Sequence, residues 1–349
     1  MTRFVKYLIY LILGTAAITG CCLVDEDNSD CEAEYNIDYE LRMITNFTTE
    51  ISTELGLETD IQIAQALRQY LAGIFTDFAH DVDLGFYDVV RNEAAGDSLR
   101  LHHETHVMDA SESSYTLYIP IRDYMHLAVA NIEESNMVDF ENGGLCHAAQ
   151  LTQPVRDTVG TQNTGLFTAR FPMQIFQNKS QTFDVNLYMA NCASAIVIDT
   201  VGSNITGLEV FATGFATDFR VCDSAYLFNY TPIVKADKLP LTEPGSMCFA
   251  TVTFPSRDPE QTKVVIETED PFISERSTGS LWHYRVYTRT ADGKTTETLL
   301  GLFTPLKAGQ LKIIKGKVLD NGAVQPDDPT VGVSIALDWE PGSHHEIEL

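Results

Sequence analysis

Apolar and polar residues alternate from Tyr35 to Met43, with Tyr35, Ile37, Tyr39, Leu41 and Met43 on one side. A period of two sends successive side chains to opposite faces, so this segment is predicted to be a half-buried strand. The rhythm changes once. From Thr59 to Phe75, apolar Ile61, Ala64, Leu67, Leu71 and Ile74 recur every three or four residues, as on one face of a helix, and Thr59 or Asp60 can cap its start. Strand-like runs then return at Val82–Val90, Ser98–Met108 and Ser114–Ile121, and Met125–Asn131 is a short apolar run of the buried-strand type.

Gly143-Gly144 and the Gln/Thr/Asn/Gly-rich stretch from Gln150 to Gly165 break this series and mark a domain boundary. Beyond it come Phe167–Phe171, Gln181–Met189, Ala195–Val201, Leu208–Thr213, Phe219–Cys222, Phe249–Phe254, Lys263–Thr268, Leu281–Thr290, Thr295–Phe303, Leu311–Leu319 and Val331–Asp338. Ala291-Asp-Gly-Lys294 between two such runs predicts a hairpin. Many short strands at steady spacing imply an all-β chain with one minor helix. We expect two tandem domains, over 35–160 and 166–349, each an antiparallel sandwich or barrel.

The N-terminus follows a different pattern. Arg3 and Lys6 precede an apolar run from Tyr7 to Ile18, and Ile18-Thr-Gly-Cys21 follows. A basic start, a short apolar stretch and small residues before a cut make a secretory signal peptide, and the run is short for a span of about 20 residues. A branched apolar residue, two small ones and Cys resemble the bacterial lipobox, in which the cysteine receives diacylglycerol and becomes the new N-terminus. Residues 1–20 are therefore expected to be removed and Cys21 lipidated; Cys22 fits less well, because Thr19 would then stand three residues before it. Residues 21–34, with Asp25, Glu26, Asp27 and Asp30, form a polar acidic tether that cannot bury a core.

The chain has 349 residues and a net charge of -26, from 49 acidic against 23 basic residues. Repulsion from phosphates excludes nucleic acid as a natural partner. Export permits disulfides. With Cys21 lipidated, six cysteines remain, and 15 pairings are open. Cys31 with Cys146 and Cys222 with Cys248 are expected because each pair lies within one proposed domain; Cys192 reads as a small buried hydrophobe.

Chemistry is sparse. In Leu101-His-His-Glu-Thr-His-Val107, a strand places His102, Glu104 and His106 on one face, which makes His102 and His106 weak metal candidates; a polar solvent-facing stripe is the plainer reading. HExxH, GxSxG, Walker A and GxGxxG are all missing from the sequence. Neither a cofactor nor an enzymatic activity is expected. Trp282 and Trp339 could form a sugar platform, although each sits in a strand-like run where core packing is the simpler role.

Several segments together resemble the FimB-type fimbrillin-A-associated anchor proteins of Bacteroidetes. They are the Cys21–Cys31 tether, Tyr35-Asn-Ile-Asp-Tyr39, Phe78-Ala-His-Asp-Val-Asp-Leu-Gly-Phe-Tyr-Asp88, Tyr115-Thr-Leu-Tyr-Ile-Pro-Ile121 leading into Leu127-Ala-Val-Ala-Asn131, the run from Phe183 to Ile198, and the closing Val331-Gly-Val-Ser-Ile-Ala-Leu-Asp-Trp-Glu-Pro341. Where the family carries an Arg in the run from Phe183, this chain has Tyr188 or Met189. The resemblance implies two tandem antiparallel β-sandwiches of transthyretin-like, Greek-key type and a non-catalytic lipoprotein at the outer membrane, exposed on the cell surface. It also implies fimbrial or pilin subunits as partners, bound by β-strand pairing. A glycan-binding surface lipoprotein is the alternative.

Overall fold

The structure is a computed structural model and describes residues 34–44, 61–76, 79–89, 97–107, 114–176, 181–242, 244–260, 265–266 and 279–337. Among the described residues one α-helix, α1 (Ile61–Ile74), stands among strands. In chain order these are β1 (Glu34–Ile44), β2 (Asp81–Asp88), β3 (Arg100–Val107), β4 (Ser114–Pro120), β5 (Asp123–Ala130), β6 (Asp139–Asn142), β7 (Ala149–Thr152), β8 (Thr158–Gly160), β9 (Phe167–Gln174), β10 (Gln181–Met189), β11 (Cys192–Asp199) and β12 (Ile205–Thr213). They continue with β13 (Asp218–Arg220), β14 (Ala225–Phe228), β15 (Ile233–Lys235), β16 (Asp237–Leu239), β17 (Ser246–Thr253), β18 (Val265–Ile266), β19 (Trp282–Thr290), β20 (Thr295–Leu302), β21 (Leu311–Val318), β22 (Val324–Pro326) and β23 (Gly332–Leu337). The fold is all-β, as the periodicity predicts. The strands not predicted, β6, β7, β8, β14, β15, β16 and β22, are three or four residues each, too short to display an alternation.

Four sheets form, in the orders β3-β2-β5-β9-β10-β1-β4, β18-β14-β13-β7-β6, β23-β20-β19-β12-β15-β8 and β16-β17-β11-β21-β22. The expected antiparallel pairing holds except for one parallel pair in each sheet: β1–β10, β14–β18, β8–β15 and β11–β21. Each parallel pair joins segments distant in sequence. The predicted hairpin joins β19 to β20. Thr290 N–H donates to Lys294 O over 2.9 Å, and Gly293 turns the chain at φ +85°, where a side chain would be strained.

The pairing crosses the division drawn from composition between 160 and 166. β7 pairs with β13 and β8 with β15, both later in the chain. β9 and β10 return to pair with β5 and β1. The Gln/Thr-rich stretch that looked like a linker therefore contains two short strands, β7 and β8, whose polar residues masked them.

Among the described residues three apolar cores hold the layers together. The first joins α1 with the inward residues of the β1-containing sheet, among them Ile37, Phe86, Leu117, Ala128, Met173 and Val185, and with one face of the β11 sheet through Ala195, Ala250 and Ile313. Helix α1 buries Ile63, Ala64, Leu67, Leu71 and Ile74 here. Ile61, expected on this face, opens the helix and is 60% exposed. The second core lies between the β11 and β12 sheets and centres on Ile196, Val210, Trp282, Tyr284 and Leu300. Because both faces of β11 are covered, every residue from Cys192 to Ile198 is buried and no alternation survives. The third core packs Tyr87, Leu127 and Val129 against Leu151, Phe219 and Val221. Burying a Leu or Phe side chain contributes about 1.5–3 kcal/mol, so these three cores supply most of the driving force for folding.

Candidate functional site

The most distinctive geometry lies between β9 and β10. They are neighbours in one sheet, yet their registered pairing is confined to Tyr188–Thr168 and Met189–Phe167. Elsewhere each strand pairs along its other side. β9 runs with β5 from Asp123–Gln174 to Ala130–Phe167, and β10 runs with β1 from Ile37–Gln181 to Ile44–Tyr188. Past Thr168 and Tyr188 the two strands diverge, and the N–H and C=O groups on their facing edges have no ladder partner in each other. An edge of this kind is a template for a further strand.

At the far end a side chain bridges the separation. Gln181 Nε2 donates to Gln174 O over 3.0 Å, and Phe176 N–H donates to Gln181 Oε1 over 2.8 Å. One amide thus meets the kind of backbone groups that a neighbouring strand would otherwise satisfy.

The opening has an apolar lining. Along β9, Ala169 is buried, as are Val185 and Met189 along β10, and all three line it. Phe171 and Phe183 are partly buried against the same core. Phe171 is held edge-on by His126, with ring centroids 5.1 Å apart, and His126 stacks on Phe86 at 4.3 Å. Burial lowers the His126 pKa to about 3 despite the bond from its Nδ1 to Gly85 O, so a neutral imidazole backs the site. Arg170 and Asp184 stand exposed on the two rims. Toward the closed end a cavity of about 640 Å³ extends from Arg170, Phe171, Asp184 and Tyr188 to Phe219 and Tyr226. Chemically, the arrangement offers backbone hydrogen bonds, alternate apolar pockets and charges of both signs at its mouth. Groups of these kinds are what an extended peptide pairs with.

Cys21, Cys31 and Trp339 lie outside the described residues. Among those described, Cys146, Cys192, Cys222 and Cys248 are buried free thiols. Of the expected Cys222–Cys248 pair, Cys222 shares a core with Cys146, while Cys248 sits in the α1 core. Register explains this, because β17 carries Cys248 opposite Val197 and Leu239, away from β13. Burial pushes Cys248 and Cys192 up to about 12. Cys192 is fully buried in β11, its thiol directed at Phe254 O over 3.4 Å.

His102, Glu104 and His106 do share a face of β3. Glu104 bridges the other two, with Oε1 2.6 Å from His102 Nε2 and Oε2 3.0 Å from His106 Nε2. The ring nitrogens that would bind a metal already meet a carboxylate. Among the described residues no group of three or more His, Cys, Asp or Glu side chains is arranged to hold a metal ion. Trp282 is fully buried and donates to Thr304 O over 3.0 Å, so it presents no platform to a sugar. Among the described residues no helix is long and apolar enough to cross a membrane.

The separation of β9 from β10 could not be found in the sequence, where both segments read as ordinary strands. Their outward partners, β5 and β1, are distant in sequence and set by tertiary pairing.

No protein-family profile matches the chain, and no curated protein matches its sequence. Solved structures that overlay on it include the tip fimbrial protein Mfa3 from Porphyromonas gingivalis with a C-terminal truncation, at 9% identity and TM-score 0.42 over 88% of this chain and 100% of that one. A candidate adhesin from Bacteroides ovatus overlays at 10% identity and TM-score 0.47, over 89% and 97%. Candidate polysaccharide-binding proteins from Bacteroides thetaiotaomicron overlay at 9% identity and TM-score 0.46, over 88% and 96%. At such identities and scores, function is argued from the chain's own residues.

Proposed function

We propose that this chain is a non-catalytic cell-surface lipoprotein that anchors or helps assemble a fimbria-like polymer, accepting a strand of a pilin subunit between β9 and β10. The observation that carries the reading is the confinement of β9–β10 pairing to Tyr188–Thr168 and Met189–Phe167. A foreign strand laid along either open edge would gain main-chain hydrogen bonds, and its alternate side chains would meet Ala169, Phe171, Phe183 and Val185. The lipobox pattern at Ile18–Cys21 supplies the other half of the reading: lipid at Cys21 holds the chain at the outer membrane, and the acidic segment behind it spaces the body from the surface.

Cys21→Ala tests the anchor. The polymer is expected to appear in the medium while the body of the protein still folds. Fimbriae that stay cell-bound and unchanged in length would remove the anchoring role.

A further inference from the structure

Cys146 follows β6 at the start of a short 3-10 turn, Cys146–Ala148. Cys222 lies just past β13. The two are 76 positions apart, yet the antiparallel pairing of β7 with β13 matches Gln150 to Arg220 and Thr152 to Asp218. That ladder runs on one step, with Val221 N–H donating to Ala149 O over 3.0 Å. The next step sets Cys222 across from Ala148, the last residue of the turn that Cys146 opens. Both cysteines are about 5% exposed and lie in the same core as Tyr87, Phe219 and Val221. Each thiol is the leading influence on the other's acidity, Cys146 being pushed up and Cys222 down.

From this geometry we infer that Cys146 and Cys222 form a disulfide in the protein outside the cytoplasm, one that staples the β6–β7 segment to β13 along one wall of the strand-accepting opening. Phe219 and Val221, on the same stretch as Cys222, line that wall. The inference rests on the reading of the chain as exported.

The chemistry balances with a disulfide oxidant, either oxidised glutathione or a thiol–disulfide exchange protein. Cys222 attacks as the thiolate: its pKa is lowered chiefly by the neighbouring Cys146 thiol, and His147 and Arg220 add to the effect. It displaces one thiolate from the oxidant and forms a mixed disulfide. Cys146 then loses its proton and attacks the Cys222 sulfur, expelling the second thiol. One S–S bond forms in the protein, one breaks in the oxidant, and two electrons and two protons pass to the oxidant. Both thiols are nearly closed off in the folded chain, so the bond forms while β7 docks on β13.

The test is disulfide mapping of the purified full-length chain refolded in a glutathione/oxidised-glutathione buffer, by digestion without reduction and mass spectrometry. The expected product is one peptide pair joining Cys146 to Cys222, lighter by two hydrogens and separated by dithiothreitol. Dithiothreitol should also lower the melting temperature of the wild type, while a Cys146→Ala/Cys222→Ala double variant should melt at the same temperature with or without it. Recovery of both cysteines as free alkylated thiols, or of either joined to Cys31 or Cys248, would overturn the proposal. Fractionation of the producing cells is read separately. Protein found only in the cytoplasm would contradict export, while the mapping would still decide whether this pair bonds.

Discussion

Gln181 holds Gln174 through its side chain rather than its backbone: Nε2 donates to the Gln174 carbonyl over 3.0 Å, while Oε1 accepts from Phe176 N–H over 2.8 Å. The contact stands at the far end of two strands that pair directly at Tyr188–Thr168 and Met189–Phe167. The stretch whose facing edges stay unpaired lies between that sheet pairing at one end and, at the other, this amide beside the six-residue connection from Gln174 to Gln181.

Gln181→Ala removes that amide. Each net hydrogen bond is worth about 0.5–1.5 kcal/mol, and these are exposed, so global stability should fall by about 1 kcal/mol or less. The local effect should be larger: the Phe176 amide is expected to exchange with deuterium markedly faster than in the wild type, and amides of the β1–β10 ladder should be unchanged. Unaltered exchange at Phe176 would show that Gln181 does not hold this end.

His126 and His283 make stability depend on acid. Burial lowers both to about 3, from 6.5, and neither ring nitrogen of His283 has a hydrogen-bond partner among the described residues. Between those two values only the unfolded chain takes up the proton. Their contribution is therefore complete above pH 6.5 and is lost as pH falls toward 3, at up to about 1.4 kcal/mol per pH unit for each histidine. Urea unfolding at pH 7.5, 6 and 5 should show this loss. His126→Gln should flatten the slope by about one histidine's share, whatever its effect at pH 7.5, and a slope identical to wild type would contradict the assignment.

Trp282 separates a core role from a sugar-binding one. It is fully buried and bonded to Thr304 O. Trp282→Ala should cost about 3–5 kcal/mol in denaturant unfolding. A variant of wild-type stability that lost glycan binding on an array would restore the sugar-platform reading.

Much of the fold is legible in the sequence. The alternation at Tyr35–Met43, the helical spacing from Ala64 to Ile74 and Asp292-Gly293 between β19 and β20 each carry their own local cause, and the structure places a strand, a helix and a hairpin there. What was hidden is tertiary. β7 and β8 are too short and polar to announce themselves, and they crossed an expected boundary. The proximity of Cys146 to Cys222 follows from one register between distant strands. The opening exists because β9 and β10 choose β5 and β1 over each other, a choice made by side chains elsewhere.

The account turns on what occupies the opening. A photocrosslinking amino acid placed at Arg170 or Asp184, on its two rims, tests this in cells that assemble the polymer, with Val201 on a remote exposed turn as the control. The account predicts a crosslink from both rim positions to a strand of a pilin subunit and none from Val201. Crosslinking at Arg170 and Asp184 no greater than at Val201 would contradict it.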